Sequence, residues 1–366
     1  MNQKKVTDTY CVIMAGGVGS RFWPKSRISY PKQFIDILGI GKSLLRQTFE
    51  RFTPVCPVEN FYVVTSLEYI DIVLKQIPEL TPSQVLAEPF RRNTAPCIAF
   101  ANIYIRHKNP NANIIVTPAD HLIINESEFI SAIHHSLNFV SKKDALLTLG
   151  ITPSRPETGY GYIQVANEVD GFGGIFNKVK TFTEKPSLEI AKVFLDSGEF
   201  YWNSGIFIWS IKSIDKAFEE YLPDIHRFFS QIDNSINTPE EKQLIRKTYE
   251  ECDSISIDYG IMERASNVYM QAVNFGWSDL GTWSSLHEIS KKDIYENAVI
   301  SGKTLLYKTK ESIIDIPSNK IAVIQGLENY IVVDTKDALL ICSKNNEQFI
   351  KQFTSDLKNE YSDKNL

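Results

Sequence analysis

The chain has 366 residues, which at about 150 residues per domain points to two or three domains and excludes a single small module. Hydrophobic residues make up 43% and charged residues 23%, globular proportions that exclude a disordered or fibrous chain. The formal charge of −5 argues against a general nucleic-acid binder, which needs a net positive face to displace counterions. No apolar run approaches the roughly 20 residues that span a bilayer, and the amino end is polar without a signal-like apolar core, so a cytoplasmic place away from the membrane is expected.

In chain order, residues 10–15 (YCVIMA), 61–65 (FYVVT), 114–117 (IIVT) and 145–149 (ALLTL) are uniformly apolar, as strands covered on both faces are. Between them Leu44, Leu45, Thr48, Phe49 and Phe52 follow Ser43 at helical spacing. Phe129, Ile130, Ile133, Leu137 and Val140 repeat the pattern behind Ser127, and each serine is read as an N-cap. This alternation predicts an α/β domain, Rossmann-like, with a mixed, mostly parallel sheet. Residues 159–184 carry Gly-rich turns and alternating strands, followed by a helix over 187–197 closed by Gly198; they read as an insertion roofing a site. From about residue 290 short strand-like runs (313–316, 321–324, 330–333, 338–342) predict a small β domain, with a terminal helix carrying Phe349, Ile350 and Phe353. The domains are therefore placed at 1–290 and 291–366. Five cysteines, odd in number, scattered and without C-x-x-C spacing, suggest neither a disulfide frame nor a zinc site.

The strongest local signal is Ala15-Gly16-Gly17-Val18-Gly19-Ser20-Arg21, directly after the first strand and running through Lys25 and Arg27 to Lys32. Ligands of open α/β sheets sit beyond the carboxyl ends of strands, where glycines let backbone N–H groups approach phosphates. Four cations accompany the loop and no acidic residue falls between Thr9 and Ile35, which makes it a polyphosphate site on an acidic protein. It is neither a dinucleotide fingerprint, for Phe22 stands where a glycine or alanine is required, nor a Walker A loop, for Asp36 stands where the first glycine belongs.

The string GGVGSRFWPKSRISYPKQF resembles the nucleotide-binding signature of mannose-1-phosphate guanylyltransferases. The ordered strings AEPFRRNTAPCIAFA, TPADHLI, ETGYGYI, FTEKP, WNSGIFIW, SIDYGIMERA, FGWSDLGTW and VVDTKDALLI extend that resemblance along nearly the whole chain. Thr183 and Phe90 depart from the usual pattern, but neither removes a charge. The resemblance implies a nucleotide-diphospho-sugar transferase domain followed by a short left-handed β-helix. It also implies transfer of GMP from GTP to α-D-mannose 1-phosphate with release of pyrophosphate, in a monofunctional chain and as a homodimer. The same chemistry on another nucleotide or sugar 1-phosphate, such as a heptose 1-phosphate, and a non-catalytic nucleotide-sugar sensor are the alternatives.

Nucleotidyl transfer needs an oxygen nucleophile in line with the α-phosphorus and neutralisation of the charge on both partners. The resemblance places the nucleotide at Ala15, Gly16, Gly17, Gly19, Ser20, Arg21, Lys32, Glu88, Arg92, Asn93 and Thr94. It places the sugar at Gly159, Tyr160, Glu184, Lys185 and Asn203, with the Gly159-Tyr160-Gly161 backbone along the hexose. On the same resemblance Arg21, Lys32 and Lys185 would be the catalytic cations, and Asp120 with Asp279 the ligands of Mg2+. His121 is read as a packing or hydrogen-bonding residue, since magnesium prefers oxygen; His134 and His135 point about 100° apart on a helix and are read as surface residues. Successive strand residues face opposite ways, so Glu184 and Lys185 reach one ligand only if the chain leaves strand geometry there, which Pro186 favours.

Overall fold

The structure is a computed structural model that describes residues 8–17, 19–168 and 174–361. Val18 of the Gly-rich loop, the polar residues 1–7, part of the predicted insertion (169–173) and the end of the chain (362–366) lie outside the described residues. Packing divides the chain into two compact units that interleave in sequence. One comprises Met1–Gly16, Phe49–Ala119 and Ile123–Trp277; the other comprises Gly17–Thr48, Asp120–Leu122 and Ser278–Leu366.

The first unit is built on a nine-stranded sheet. Its strands are β1 (Thr9–Met14), β2 (Phe61–Ser66), β3 (Val85–Glu88), β4 (Asn113–Pro118), β5 (Leu146–Ile151), β6 (Gly161–Glu168), β7 (Phe176–Glu184), β8 (Phe200–Ser210) and β9 (Val268–Val273), in the spatial order β3-β2-β1-β4-β8-β5-β9-β7-β6. The four strands β3-β2-β1-β4 are parallel, as the apolar runs predict. The parallel character ends there, apart from β5 with β9: β8 runs antiparallel between β4 and β5, and β6 and β7 form an antiparallel pair at the far edge. The reason is connectivity, since a short reversal such as that from β6 to β7 can only join antiparallel neighbours, whereas parallel pairs need a crossover.

Helices α1 (Leu44–Phe52), α2 (Ile70–Gln76), α3 (Thr94–Lys108), α4 (Glu126–Val140), α5 (Leu188–Ser197), α6 (Ile211–Tyr221), α7 (Pro223–Asp233) and α8 (Glu241–Glu251) accompany the sheet in sequence. The Ser43 hydroxyl accepts from the Arg46 N–H at 3.2 Å, as expected of a cap. Ser187 and Gly198 close the two ends of α5, Gly198 at φ 69°. The start of α4 is a correction. Asn125 is its cap, accepting from the Glu128 N–H at 3.3 Å, while the Ser127 hydroxyl donates to the Asn125 side chain. Both residues are good caps by type, and the one nearer the chain's entry to the helix takes the role. In the core of this unit Val12, Ile114, Val116 and Trp209 are fully buried, and the rings of Phe100 and Phe229 pack edge-on against Tyr249 at 5.7 and 5.5 Å.

The second unit carries the β-helix-like coil. Strands β10 (Ala298–Ser301), β12 (Ile313–Asp315) and β14 (Tyr330–Asp334) stack in parallel, and β11 (Lys303–Tyr307) stacks in parallel on β13 (Ile321–Gln325). Only the last strand, β15 (Leu339–Ser343), turns antiparallel. Ile314, Ile316 and Val332 fill the coil, with Leu306, Ala322 and Ile324 packed on them. Helix α9 (Trp283–Ile289) and the terminal helix α10 (Ile350–Tyr361) share a second core with Phe22, Leu280, Ile313, Ile331 and Val333. Phe22 and Trp283 meet there with ring centroids 4.9 Å apart.

Candidate active site

Within the second unit, a cavity of about 340 Å³ is lined by Gly19, Ser20, Arg21, Phe22, Lys32, Asp120, His121, Asp279, Gly281 and Lys351. Four charged residues that lie far apart in sequence thus border one space, as the sequence predicts for Arg21, Lys32, Asp120 and Asp279. Gly19 stands at φ 62°, opening a short 3₁₀ turn (Ser20–Phe22), and a Cβ added to it would lie 2.5 Å from the Lys32 Cβ. Only glycine lets the loop pass this close to the lysine. The loop is tied further by the Ser26 hydroxyl, which donates to the Gly19 carbonyl at 2.8 Å, and by the Gln33 amide, which donates to the Gly17 carbonyl at 2.8 Å.

Lys32 is 4% exposed. Its ammonium meets an Asp120 carboxylate oxygen at 2.7 Å and donates to the backbone carbonyls of Asp279 and Leu280 at 2.9 and 3.0 Å. An ammonium has three donors, so all are directed at protein oxygens. Lys32 therefore ties the Asp120 and Asp279 segments together, and a phosphate meets its charge either through the field or by displacing one of these partners. Burial pushes the Asp120 carboxyl up, but the Lys32 ammonium, His121 and the hydrogen bonds prevail and hold it below the usual carboxylate value. Asp279 accepts from the Gly281 N–H at 2.8 Å, which shapes the turn that presents it. Arg21 offers a different signal, because its Nε is buried without a hydrogen-bond partner among the described residues.

The donor set suits magnesium. Asp120 and Asp279 supply hard carboxylate oxygen, and among the described residues no group of three or more His, Cys, Asp and Glu side chains gathers to form a closed metal centre. Magnesium binds through one or two carboxylates and fills its remaining positions with water and phosphate oxygens.

In the first unit, the sugar-site residues of the sequence reading do come together. A Cβ on Gly161 would lie 2.5 Å from a Glu184 carboxylate oxygen, so the Glu184 side chain folds directly over this backbone. Lys185 leaves strand geometry with φ 47°, pairs with the Glu184 carboxylate and donates its backbone N–H to the Tyr160 carbonyl at 3.2 Å. Tyr160 is wedged edge-on between Trp202 and Trp277 at 5.2 and 5.1 Å, and the Gly159 N–H donates to Glu157 at 3.0 Å. The Asn203 amide is fixed on both sides: its oxygen accepts from the Thr148 hydroxyl and the Gly205 N–H, both at 3.2 Å, and its nitrogen donates to Asp258 at 2.7 Å. Sequence reasoning missed Asp258, which stood unremarked inside SIDYGIMERA. Burial raises its carboxyl to about 6, helped by the nearby Glu184 charge and opposed by the Asn203 hydrogen bond. The π-helical turn at Asp258–Met262 presents it, a feature with no local sequence signal.

The residues that the sequence resemblance assigns to the nucleoside occupy the end of β3 and the start of α3, and they divide. Glu88 is 6% exposed, lies beside Gly16 and accepts from the Tyr249 hydroxyl at 3.1 Å. Arg92 instead donates to the Tyr249 and Glu250 carbonyls at 2.8 and 3.1 Å at the end of α8. Thr94 accepts from the Ile257 N–H at 2.9 Å, and Asn93, at φ 67°, caps α3. Arg92 and Thr94 therefore also brace the scaffold, Arg92 through its Nε and one terminal nitrogen and Thr94 through its hydroxyl oxygen.

Burial raises the Glu88 carboxyl to about 7, against the lowering effects of Tyr249 and Arg91. A carboxyl raised in the folded state holds its proton more tightly there than in the unfolded chain. Its contribution to stability is present below about pH 4.5 and lost as pH rises to about 7. The shift corresponds to at most about 3 kcal/mol. Glu88→Gln is therefore expected to lose less stability than the parent between pH 4.5 and 7; parallel slopes of urea-unfolding free energy against pH would show Glu88 to titrate normally.

Comparison with known proteins shows the family. Residues 10–296 match the nucleotidyl transferase family, and residues 302–357 match the MannoseP isomerase/GMP-like beta-helix domain. The chain is 36% identical over 354 residues to a mannose-1-phosphate guanylyltransferase of Salmonella muenchen, covering 95% of this chain and 73% of the relative. It is 36% identical over 361 residues to one of Escherichia coli K12, with the same two shares. A solved structure from Thermus thermophilus, described as a mannose-1-phosphate geranyltransferase, matches with a TM-score of 0.87 at 27% identity, covering 96% of this chain and 100% of that one. The chain belongs to the nucleotidyl transferase family, in its branch of mannose-1-phosphate guanylyltransferases. Among the described residues no helix is long and apolar enough to cross a membrane.

Proposed function

We propose that the chain transfers GMP from GTP to α-D-mannose 1-phosphate, giving GDP-mannose and pyrophosphate. The observation that carries the reading is the cavity bordered by Arg21, Lys32, Asp120 and Asp279, in a chain whose relatives named above are guanylyltransferases. A phosphate oxygen of the sugar 1-phosphate attacks the α-phosphorus, the bond from that phosphorus to the β-phosphate oxygen breaks, and pyrophosphate leaves. The attacking phosphate is already ionised near pH 7, so no general base is needed. Catalysis reduces to orientation and charge.

Arg21 and Lys32 serve the triphosphate, and Lys185 the attacking phosphate. Glu184 and Asn203 hold the mannose hydroxyls, Gly159 and Tyr160 lie along the hexose, and Ala15, Gly16, Gly17, Gly19 and Ser20 supply backbone to the nucleotide. Asp120 and Asp279 would hold Mg2+, which when bound adds positive charge against the phosphates. Pyrophosphate release, measured for four nucleoside triphosphates against several sugar 1-phosphates, tests the reading: preference for GTP with mannose 1-phosphate is expected, and preference for another pair overturns it. We further read the protein as a cytoplasmic homodimer. The exposed apolar row Leu305, Tyr307, Ile321 and Val323 on the paired strands β11 and β13 supports self-association.

Glu184 and Lys185 divide the sugar phosphate between them. A carboxylate accepts from hydroxyls and an ammonium binds the phosphate. Glu184→Gln is expected mainly to blur discrimination among mannose, glucose and galactose 1-phosphates. Lys185→Ala is expected to weaken all three alike and also to slow transfer. Steady-state constants for both variants check this, and identical selectivity profiles would move recognition of the sugar to Asn203.

A further inference from the structure

We infer that Lys351, on the terminal helix, is a further phosphate-binding residue of this site and contacts the pyrophosphate end of the bound nucleotide. The inference rests on the transferase reading above. Lys351 lies more than 300 positions from the Gly-rich loop, in a stretch whose sequence suggests only a terminal helix, yet it lines the same cavity as Arg21, Lys32, Asp120 and Asp279.

Its neighbours on the helix hold it there. Ile350 is fully buried, and Phe353 and Leu357 pack on the core that includes Phe22 and Leu280, next to the loop and turn that frame the cavity. One turn before Lys351, Glu347 accepts from the Ser284 N–H at 3.0 Å and lies close enough to Arg21 to feel its charge. The helix start is thus anchored on α9 and beside the loop arginine.

The chemistry separates this lysine from Lys32. The Lys32 ammonium is spent on three protein oxygens. The exposed Lys351 ammonium has no hydrogen-bond or ion-pair partner among the described residues. Arg21 adds a buried Nε that is likewise unpartnered. Two cations with donors to spare, on one small cavity that also holds two carboxylates suited to magnesium, are the groups that a magnesium pyrophosphate would meet. A cation on a mobile four-carbon stem at the rim also reaches a leaving group as it departs.

Calorimetric titration of the full chain with inorganic pyrophosphate in excess Mg2+ tests the assignment without requiring turnover. Lys351→Ala is expected to bind about tenfold more weakly, the lower end for a charge-assisted contact. Lys351→Arg should stay within about twofold of the parent, and mannose 1-phosphate affinity should be unchanged in both. Equal pyrophosphate affinity in Lys351→Ala and the parent overturns the assignment. So does a loss shared equally by Lys351→Arg and accompanied by a lower melting temperature, which assigns the residue to helix packing instead. Failure of the parent to form GDP-mannose overturns the transferase reading alone, since the comparison of pyrophosphate affinities stands by itself.

Discussion

Asp279→Asn is expected to lower turnover at least about a hundredfold, equivalent to about 2.7 kcal/mol in the barrier, with the fold intact. Asparagine keeps an oxygen for the Gly281 N–H that Asp279 now accepts at 2.8 Å, so the turn survives and only the charge is lost. Asp120→Asn should lose as much activity and some stability too, because it leaves the buried Lys32 ammonium without its counter-charge. Rates measured against magnesium concentration, with melting curves alongside, separate the two effects. Near-normal rates for both variants at limiting magnesium would remove these carboxylates from the metal.

Arg21→Ala is expected to raise the barrier by roughly 2–4 kcal/mol, the scale for losing one preorganised donor to a developing negative charge. The buried, unpartnered Nε is the reason to expect the upper part of that range, since a donor already desolvated in the free protein has that cost behind it before substrate arrives. Single-turnover measurements on bound GTP read the chemical step directly. A change confined to the mannose 1-phosphate constant, with normal chemistry, would contradict a role at the leaving group.

Local signals carried well from sequence to structure. The apolar runs at 10–15 and 61–65 became parallel strands, Ser187 and Gly198 closed their helix, and the Gly-rich loop came to border one cavity with Asp120 and Asp279. Long-range relations did not carry. Nothing in the period of β8 announces that it will run antiparallel between β4 and β5, because strand direction depends on connections and not on residue pattern. Residues 17–48 group with residues 278–366 in one compact unit, for a core is assembled by contacts that sequence distance does not limit. Lys351 and Asp258 were hidden for related reasons. An exposed lysine on a polar helix has no distinguishing neighbours, and an acid in a motif gains its meaning from the amide that it holds. Arg92 shows another relation hidden in sequence, where a cation in a matching string also holds carbonyls at the end of α8.

The 2.5 Å separation between an added Gly19 Cβ and the Lys32 Cβ also constrains how this loop can drift. Every residue except glycine carries a Cβ, so no replacement at position 32 opens room at position 19 unless it deletes the side chain and the charge with it. Relief by a compensating change at the contact itself is therefore closed, whatever the genetic background. Position 19 can leave glycine only through a rerouting of the loop, a change larger than one substitution supplies. Libraries that randomise positions 19 and 32 together should return glycine at 19 wherever a functional cation survives at 32.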